Sequence, residues 1–141
     1  MSKSRPFYPN LRGVSPLNII VELIDEEGIE AGFDRNEYRK VIESKLCNLG
    51  IKVDEFSNRP PFLYLNVGQK KAGIFPLYSV VLNLSFNQIV LVPDQWANVI
   101  ASTWTETIVA NVGEDSVGFV RERVIELVEL FADDYFRANS P

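Results

Sequence analysis

The side chains of this sequence that could perform acid–base or metal chemistry are carboxylates, because the chain has no histidine and a single cysteine, Cys47. The missing histidine excludes histidine-based triads, histidine general bases and histidine metal ligands. The candidate carboxylates are scattered along the chain: Asp25, Glu26, Glu27, Glu106, Asp133 and Asp134. A glycosidase-type site needs two carboxyl groups that face one cleft. Glu106 is the best candidate, since alternation places it on the same side of a strand as Trp104.

The known catalytic and metal-binding patterns do not match the spacing of these residues. Four acidic residues lie between Asp25 and Glu30, but they lack the alternating ligands of an EF-hand loop and favour a solvated loop. There is no glycine-rich phosphate loop, nucleophile elbow or cysteine pair. Cys47 therefore cannot form a disulfide within the chain and is interpreted as a structural thiol. We predict no catalytic residue, no cofactor and no metal.

Composition limits the possible partners and the size of the fold. A chain of 141 residues is long enough for one domain with its own core. Its net charge of −5 argues against binding to nucleic acid, whose phosphates require a basic surface. No segment approaches the roughly 20 consecutive apolar residues of a membrane span. Residues 1–13 are predicted to be a flexible N-terminal arm, followed by a single domain over residues 14–141.

The long uncharged run Leu77–Val92 is the segment around which the predicted fold is arranged. Its apolar residues alternate as far as Phe86, which is typical of a strand with one face in the core. The alternation weakens at Asn87 and Gln88, so that either both faces are covered there or a β-bulge shifts the register. Trp104, on the last predicted strand, is placed inward, although Ser102 and Glu106 share its side and leave the outer face as the alternative.

The remaining elements are predicted from periodicity and from turn residues. Strands are expected at 17–24, 51–53, 62–67 and 99–109, and helices at about 34–48 and 115–138. Asp34 and Gly50 have the positions of an N-cap and of a C-terminal stop. The sequence therefore predicts a two-layer α+β sandwich: a mostly antiparallel sheet of about five strands, with two helices packed on one face.

Two surfaces are candidates for binding a partner. The first is the sheet face opposite the helices, here called the open face, whose predicted side chains are polar but uncharged: Ser79, Asn83, Ser85, Thr103, Thr105 and Thr107. The second lies on the last helix and includes Ile125 and Phe136 with Ala132. It is opposite the core stripe, the side of this helix whose apolar residues are predicted to face the core: Val117, Val120, Val124, Leu127, Val128, Phe131 and Tyr135. Either surface could contact a protein partner or a second copy of the chain.

The sequence also resembles a family of small bacterial α+β proteins of unknown function. The resemblance rests on the run from Tyr78 to Val92, on Ala101-Ser-Thr-Trp104, and on the last helix with its ending Ala138-Asn-Ser-Pro141. Members of that family are typically exported, and the predicted architecture is similar to small α/β domains of envelope assembly proteins. The resemblance thus implies a place in the cell envelope.

These observations favour a non-enzymatic binding or assembly domain of the cell envelope. The alternatives are a small-ligand or lipid carrier, which needs a cavity between sheet and helices, and a hydrolase that uses carboxylates near Glu106. The first residues carry no apolar signal segment. The expected location is therefore the periplasm or another exported site if a signal peptide was removed, and otherwise the cytoplasm.

Overall fold

The described chain, residues 5–54 and 59–140 of the computed structural model, forms one sheet and three α-helices. The strands are β1 (Asn18–Val21), β2 (Phe62–Lys71), β3 (Leu77–Val92) and β4 (Ala97–Gly113). The helices are α1 (Glu26–Ala31), α2 (Arg35–Asn48) and α3 (Val120–Ala138). Short 3-10 helices occupy Pro9–Leu11, Pro93–Gln95 and Glu114–Phe119. The α+β class is confirmed, whereas the expected five strands and two helices are corrected to four and three.

The sheet is mixed because its first two strands run parallel. The strand order is β1-β2-β3-β4, with β1 parallel to β2 and the other two pairings antiparallel. A parallel pair requires a crossover, and α1 and α2 supply it. The strand predicted at 51–53 is not formed, since Val53 makes only an isolated parallel bridge to Leu17 beside the start of β1. This segment accounts for the missing fifth strand.

Local capping signals set the bounds of α2. The Asp34 carboxylate accepts hydrogen bonds from the backbone N–H groups of Asn36 and Glu37, at 3.0 and 3.2 Å. At the other end Gly50 has a φ of 84° and donates to the Cys47 carbonyl at 3.0 Å. Ile51 donates to the Leu46 carbonyl at 2.9 Å, which completes a Schellman motif. The predicted helix start and stop are therefore both present.

The core lies between one face of the sheet and the two longer helices. On β3, Val80, Leu82, Leu84 and Phe86 are buried, as the alternation predicted. The apolar stripe of α3 packs against them, and the Phe131 ring lies 5.3 Å from Phe86 and 5.2 Å from Trp104 between ring centroids. Trp104 therefore faces the core. These rings fill the space between sheet and helices at this point.

The break in alternation marks both a bulge and the end of the four-stranded region. Phe86 pairs with Trp104 and Asn87 with Ser102, so Thr103 is the extra residue and the bulge belongs to β4. Beyond this point β3 and β4 continue past β2, whose first residue pairs with Asn87. Residues 88–101, here called the distal hairpin, therefore project from the sheet with much of their apolar surface exposed.

Candidate functional site: the open sheet face and a buried ion cluster

The open face is the side of the sheet that the helices leave uncovered. Asn83 lies near its centre and pairs across the sheet with Asn66 of β2 and Thr107 of β4. The Asn83 amide donates hydrogen bonds to the hydroxyl oxygens of Thr105 and Thr107, at 3.0 and 2.9 Å. These bonds hold the polar groups of two neighbouring strands in a fixed arrangement. The surface is thus ordered before any partner arrives.

The open face carries almost no charge. Among the residues that β2, β3 and β4 direct to this side, only Lys70 is charged. Val81 and Val109, which are cross-strand partners, remain 44% and 71% exposed. Burying such a surface costs less than burying a charged one, because Lys70 is the only charged group that could lose its hydration. Depletion of charge with exposed apolar groups is typical of the central part of a protein interface.

The structure brings together most of the residues predicted for this face. Ser79, Asn83 and Thr105 lie on it, and Ser79 donates a hydrogen bond to the Asn111 side chain at 3.2 Å. Ser85 lies on the same side but is only 7% exposed. Its hydroxyl accepts a hydrogen bond from the Asn87 amide at 3.1 Å.

Thr103 does not join the open face, because of the bulge in β4. Its hydroxyl donates to the Gln88 side chain at 2.6 Å, and the Asn10 amide donates to the same Gln88 oxygen at 3.0 Å. Gln88 has the same alternation as the buried Phe86 and therefore lies on the helix side. Thr103 thus helps to attach the N-terminal residues.

The second predicted surface, on α3, is largely occupied by α2. Ile125 is half-buried and lines a groove of about 530 Å³ between the two helices. Ala132 is buried, and Phe136 is 41% exposed beside Leu49. The apolar residues opposite the core stripe therefore pack mainly within the chain. This surface is separate from the open face, since the helices lie on the other side of the sheet.

Two of the carboxylates considered for catalysis, Glu106 and Asp134, belong to a cluster around Arg5. Asp134 is 1% exposed and receives three hydrogen bonds from the Arg5 guanidinium, at 2.6, 3.1 and 3.1 Å. The Trp104 indole N–H donates to the same carboxylate at 2.8 Å. Glu106 lies 2.9 Å from Arg5 Nη2. The hydrogen bond to Asp134, opposed by partial burial and aided by Glu106, raises the pKa of Arg5 above its ordinary value.

Sequence reasoning missed Arg5, which lies in the segment predicted as a flexible arm. The only signal was indirect: Asp133 and Asp134 lie near the C-terminus of a helix, where the dipole disfavours negative charge and a cation is needed. The cation is supplied by the same chain. Further bonds connect residues 5–13 to the end of α3, including Asn139 to the Leu11 carbonyl at 2.9 Å. The predicted boundary between an N-terminal arm and the domain, after residue 13, stays a prediction.

The acidic segment after β1 is a helix start rather than the predicted loop. Asp25 is the N-cap of α1, and its carboxylate accepts from the Gly28 backbone N–H at 2.8 Å. The same oxygen accepts from the Gln69 side chain at 2.7 Å. Glu26 and Glu27 occupy the first turn, where the helix dipole favours negative charge. The acidic cluster is thereby explained by helix capping.

Comparison with known proteins shows distant structural similarities. No protein-family model matches the chain, and no curated protein sequence matches it. Among solved structures, a minor lipoprotein from Acinetobacter baumannii aligns with a TM-score of 0.43 and 11% identity, over 84% of this chain and 88% of that one. A PelC dodecamer from Paraburkholderia phytofirmans aligns with a TM-score of 0.49 and 12% identity, over 99% and 95%. Neither similarity is close enough to indicate a shared partner or activity.

Within the described residues, no helix is both long enough and apolar enough to cross a membrane.

Proposed function

We propose that this chain is a non-enzymatic binding or assembly domain of the cell envelope, which contacts its partner through the open face of its sheet. The observation that carries the proposal is the nearly uncharged character of this exposed face. A solvated sheet face ordinarily carries polar and charged residues on alternate positions. Here the alternate positions on β3 and β4 carry uncharged side chains, with hydroxyl, amide and apolar groups, which a partner can cover at a lower desolvation cost than charged ones.

The state of the carboxylates supports a binding function over hydrolysis. A retaining or inverting glycosidase needs two carboxyl groups that flank a substrate. Glu106 and Asp134 instead share the Arg5 guanidinium, and Asp134 has no accessible side-chain surface. Their contacts fasten β4 and α3 to residue 5.

The envelope location is supported by the resemblance to an exported bacterial family, carried by the segments around Tyr78–Val92 and the last helix. Fractionation of cells that express the full natural gene product tests this part separately. We expect the protein in the periplasmic or membrane fraction. Recovery in the cytosolic fraction alone would remove the envelope location and leave the binding surface to be judged by itself.

Site-specific photo-crosslinking in the native cell tests the open face. The photoreactive residue benzoylphenylalanine would replace Thr107, which is exposed on the open face, and in a matched control Glu126, which is exposed on α3. We expect light-dependent adducts from position 107 and few or none from position 126. Adducts in equal amount from both positions, or none from position 107, would contradict the proposal. Mass spectrometry of the adduct identifies the partner.

A further inference from the structure

We infer that a second copy of this chain pairs with the outer edge of β4, so that two sheets join edge to edge. The inference goes beyond the proposed function, because it concerns the edge of the sheet rather than its open face. β4 is the last strand in the sheet order, and it pairs with β3 along its whole length. Within residues 5–54 and 59–140, the structure shows no backbone hydrogen bond from another segment to the outer side of β4. Unpaired backbone groups of such an edge are a template for another strand.

The residues of β4 protect this edge at its middle only. Natural sheets block free edges with lysine, proline, inward charges or short strands. β4 has 17 residues without lysine or proline, and its protective features are the bulge at Thr103 and one inward charge, Glu106. Its single charged residue, Glu106, lies on the helix side and is paired with Arg5 at 2.9 Å. By contrast, β1 at the opposite edge has four residues and is flanked by the bridge from Leu17 to Val53.

The charge of β4 suits contact between two identical chains. Each copy carries a net charge of −5, so association through most surfaces would bring negative groups together. Along β4 the only acidic side chain is Glu106, which lies on the helix side and is paired with Arg5 of its own chain, a cation that it shares with Asp134. Two such strands can therefore approach with only one acidic side chain from each copy near the contact, and that side chain is turned to the helix side.

The length of β4 is enough for a weak but specific dimer. A strand of 17 residues spans about 55 Å at roughly 3.3 Å per residue. With a sheet thickness of about 10 Å, edge pairing would cover about 550 Å² on each copy, or about 1,100 Å² in total. This lies at the lower end of specific interfaces, where complexes are weak and dissociate on dilution. We therefore expect a dissociation constant of the order of micromolar.

The distal hairpin is better suited to bind a partner strand than a lipid surface. Residues Ile89, Leu91 and Ile100 are more than half exposed there, and Trp96 at its tip is 86% exposed. The hairpin nevertheless has open backbone edges, which cannot enter hydrocarbon without losing their hydrogen bonds to water. Its one charged residue, Asp94, is acidic and would be repelled by anionic headgroups. A second β4 strand satisfies the backbone on one of these edges.

Two matched variants separate edge pairing from docking on the open face. Val109 on the edge strand and Val81 on β3 are cross-strand partners on the same face, and both are exposed. Lysine at position 109 would place a charge beside the partner strand, whereas lysine at position 81 lies one strand away from the edge. Each substitution changes the net charge by the same amount, so any difference between them comes from position.

Sedimentation velocity from about 1 to about 200 μM covers the range in which such an interface dissociates. We expect the parent chain to dimerise with rising concentration, Val109→Lys to weaken the dimer at least tenfold, and Val81→Lys to change it less than about twofold. Amide hydrogen exchange should show additional protection of β4 only in the concentrated sample. If circular dichroism shows that Val109→Lys is unfolded, Thr107→Lys on the same strand replaces it.

The remaining outcomes each overturn the inference in a different way. A parent chain that stays monomeric at every concentration removes the second copy as partner and leaves the open face to bind another protein. Equal weakening by both variants means that copies stack through the open face, so the proposed function stands and edge pairing is wrong. A dimer that neither variant affects must use another surface, which also contradicts edge pairing.

Discussion

Replacing Arg5 with glutamine should destabilise the fold by about 2–4 kcal/mol, because it leaves the buried Asp134 carboxylate without its cation. The Asp134 side chain has no accessible surface, and the Arg5 guanidinium donates to it at 2.6 Å. Removing one partner of a buried ion pair typically costs about 3–5 kcal/mol. The Arg5 side chain is 27% exposed, so water can reach the site and reduce the loss. Trp104 remains as a single neutral donor.

Urea unfolding monitored by tryptophan fluorescence measures this change. Trp96→Phe in every sample leaves the buried Trp104 as the sole reporter. For a domain of this size, a loss of about 3 kcal/mol lowers Tm by roughly 10 °C. Arg12→Gln is the matched control, since the Arg12 Nε donates to the Ala138 carbonyl at 3.1 Å and no acidic partner is involved. We expect this control to lose less than about 1 kcal/mol.

A double-mutant cycle shows whether the effect comes from the ion pair. In the Asp134→Asn background, Arg5→Gln should cost at least about 1.5 kcal/mol less than in the parent, because the unpaired charge is no longer present. A loss below about 0.5 kcal/mol for Arg5→Gln, or a loss equal to that of Arg12→Gln, would refute the assignment of Arg5 as the counter-ion of Asp134.

Two further predictions concern α2. Burial raises the pKa of Tyr38 to about 12, above its ordinary value of 10.0. The unfolded chain therefore loses the Tyr38 hydroxyl proton at a lower pH than the folded chain does. The contribution of Tyr38 to the free energy of unfolding is complete below about pH 10 and falls as pH rises towards 12, by roughly 1.4 kcal/mol per pKa unit. Urea unfolding at these pH values should show a smaller fall in the free energy of unfolding for Tyr38→Phe than for the parent chain. An equal fall in both would count against Tyr38 as the cause. Gly50→Ala should lower the free energy of unfolding by about 1 kcal/mol, because Gly50 has a φ of 84°. Gly118→Ala, where no atom lies within 4 Å of an added Cβ, is the control in the same urea assay and should be nearly neutral, so equal losses would exclude backbone strain as the reason.

Elements with strong local signals were predictable from the sequence. β3 has the predicted bounds Leu77–Val92, because its alternation reports one buried face directly. α2 also has nearly the predicted bounds, since Asp34 and Gly50 act within one turn of its ends. The parallel placement of β1 was not predictable in this way. It depends on how α1 and α2 cross the sheet, and no residue of β1 encodes its neighbour.

The helix α1 was missed because its local signals are weak. It has six residues, and its acidic first turn has the composition of a solvated loop. What stabilises it is the Asp25 cap at one end and Gly32, with a φ of 103°, at the other. Such a short helix has no apolar period to detect. Its place in the fold also depends on Gln69, which is distant in sequence.

The open face was predicted more completely than the ion cluster, and the reason is periodicity. Ser79, Asn83 and Thr105 were placed on one face by alternation alone, and the structure brings them together. Thr103 was misplaced, because the bulge adds a residue in β4 whereas the visible break in pattern lies in β3. The bond between Arg5 and Asp134 joins residues 129 positions apart, and no period connects them. The function of the open face in binding stays a prediction.

The free edge of β4 and the ion cluster around Asp134 are related, because the cluster holds the strand that carries the edge. An edge strand has a hydrogen-bonding neighbour on one side only, so it is the strand most prone to local opening. Trp104 of β4 donates a hydrogen bond to Asp134 of α3. Glu106 of β4 is paired with Arg5, which also binds Asp134. This cluster fastens the helix side of β4 at its middle, while Thr105 and Thr107 are held by Asn83 on the open face. An edge held in this way is preorganised for a partner strand, because less conformational entropy is lost on pairing.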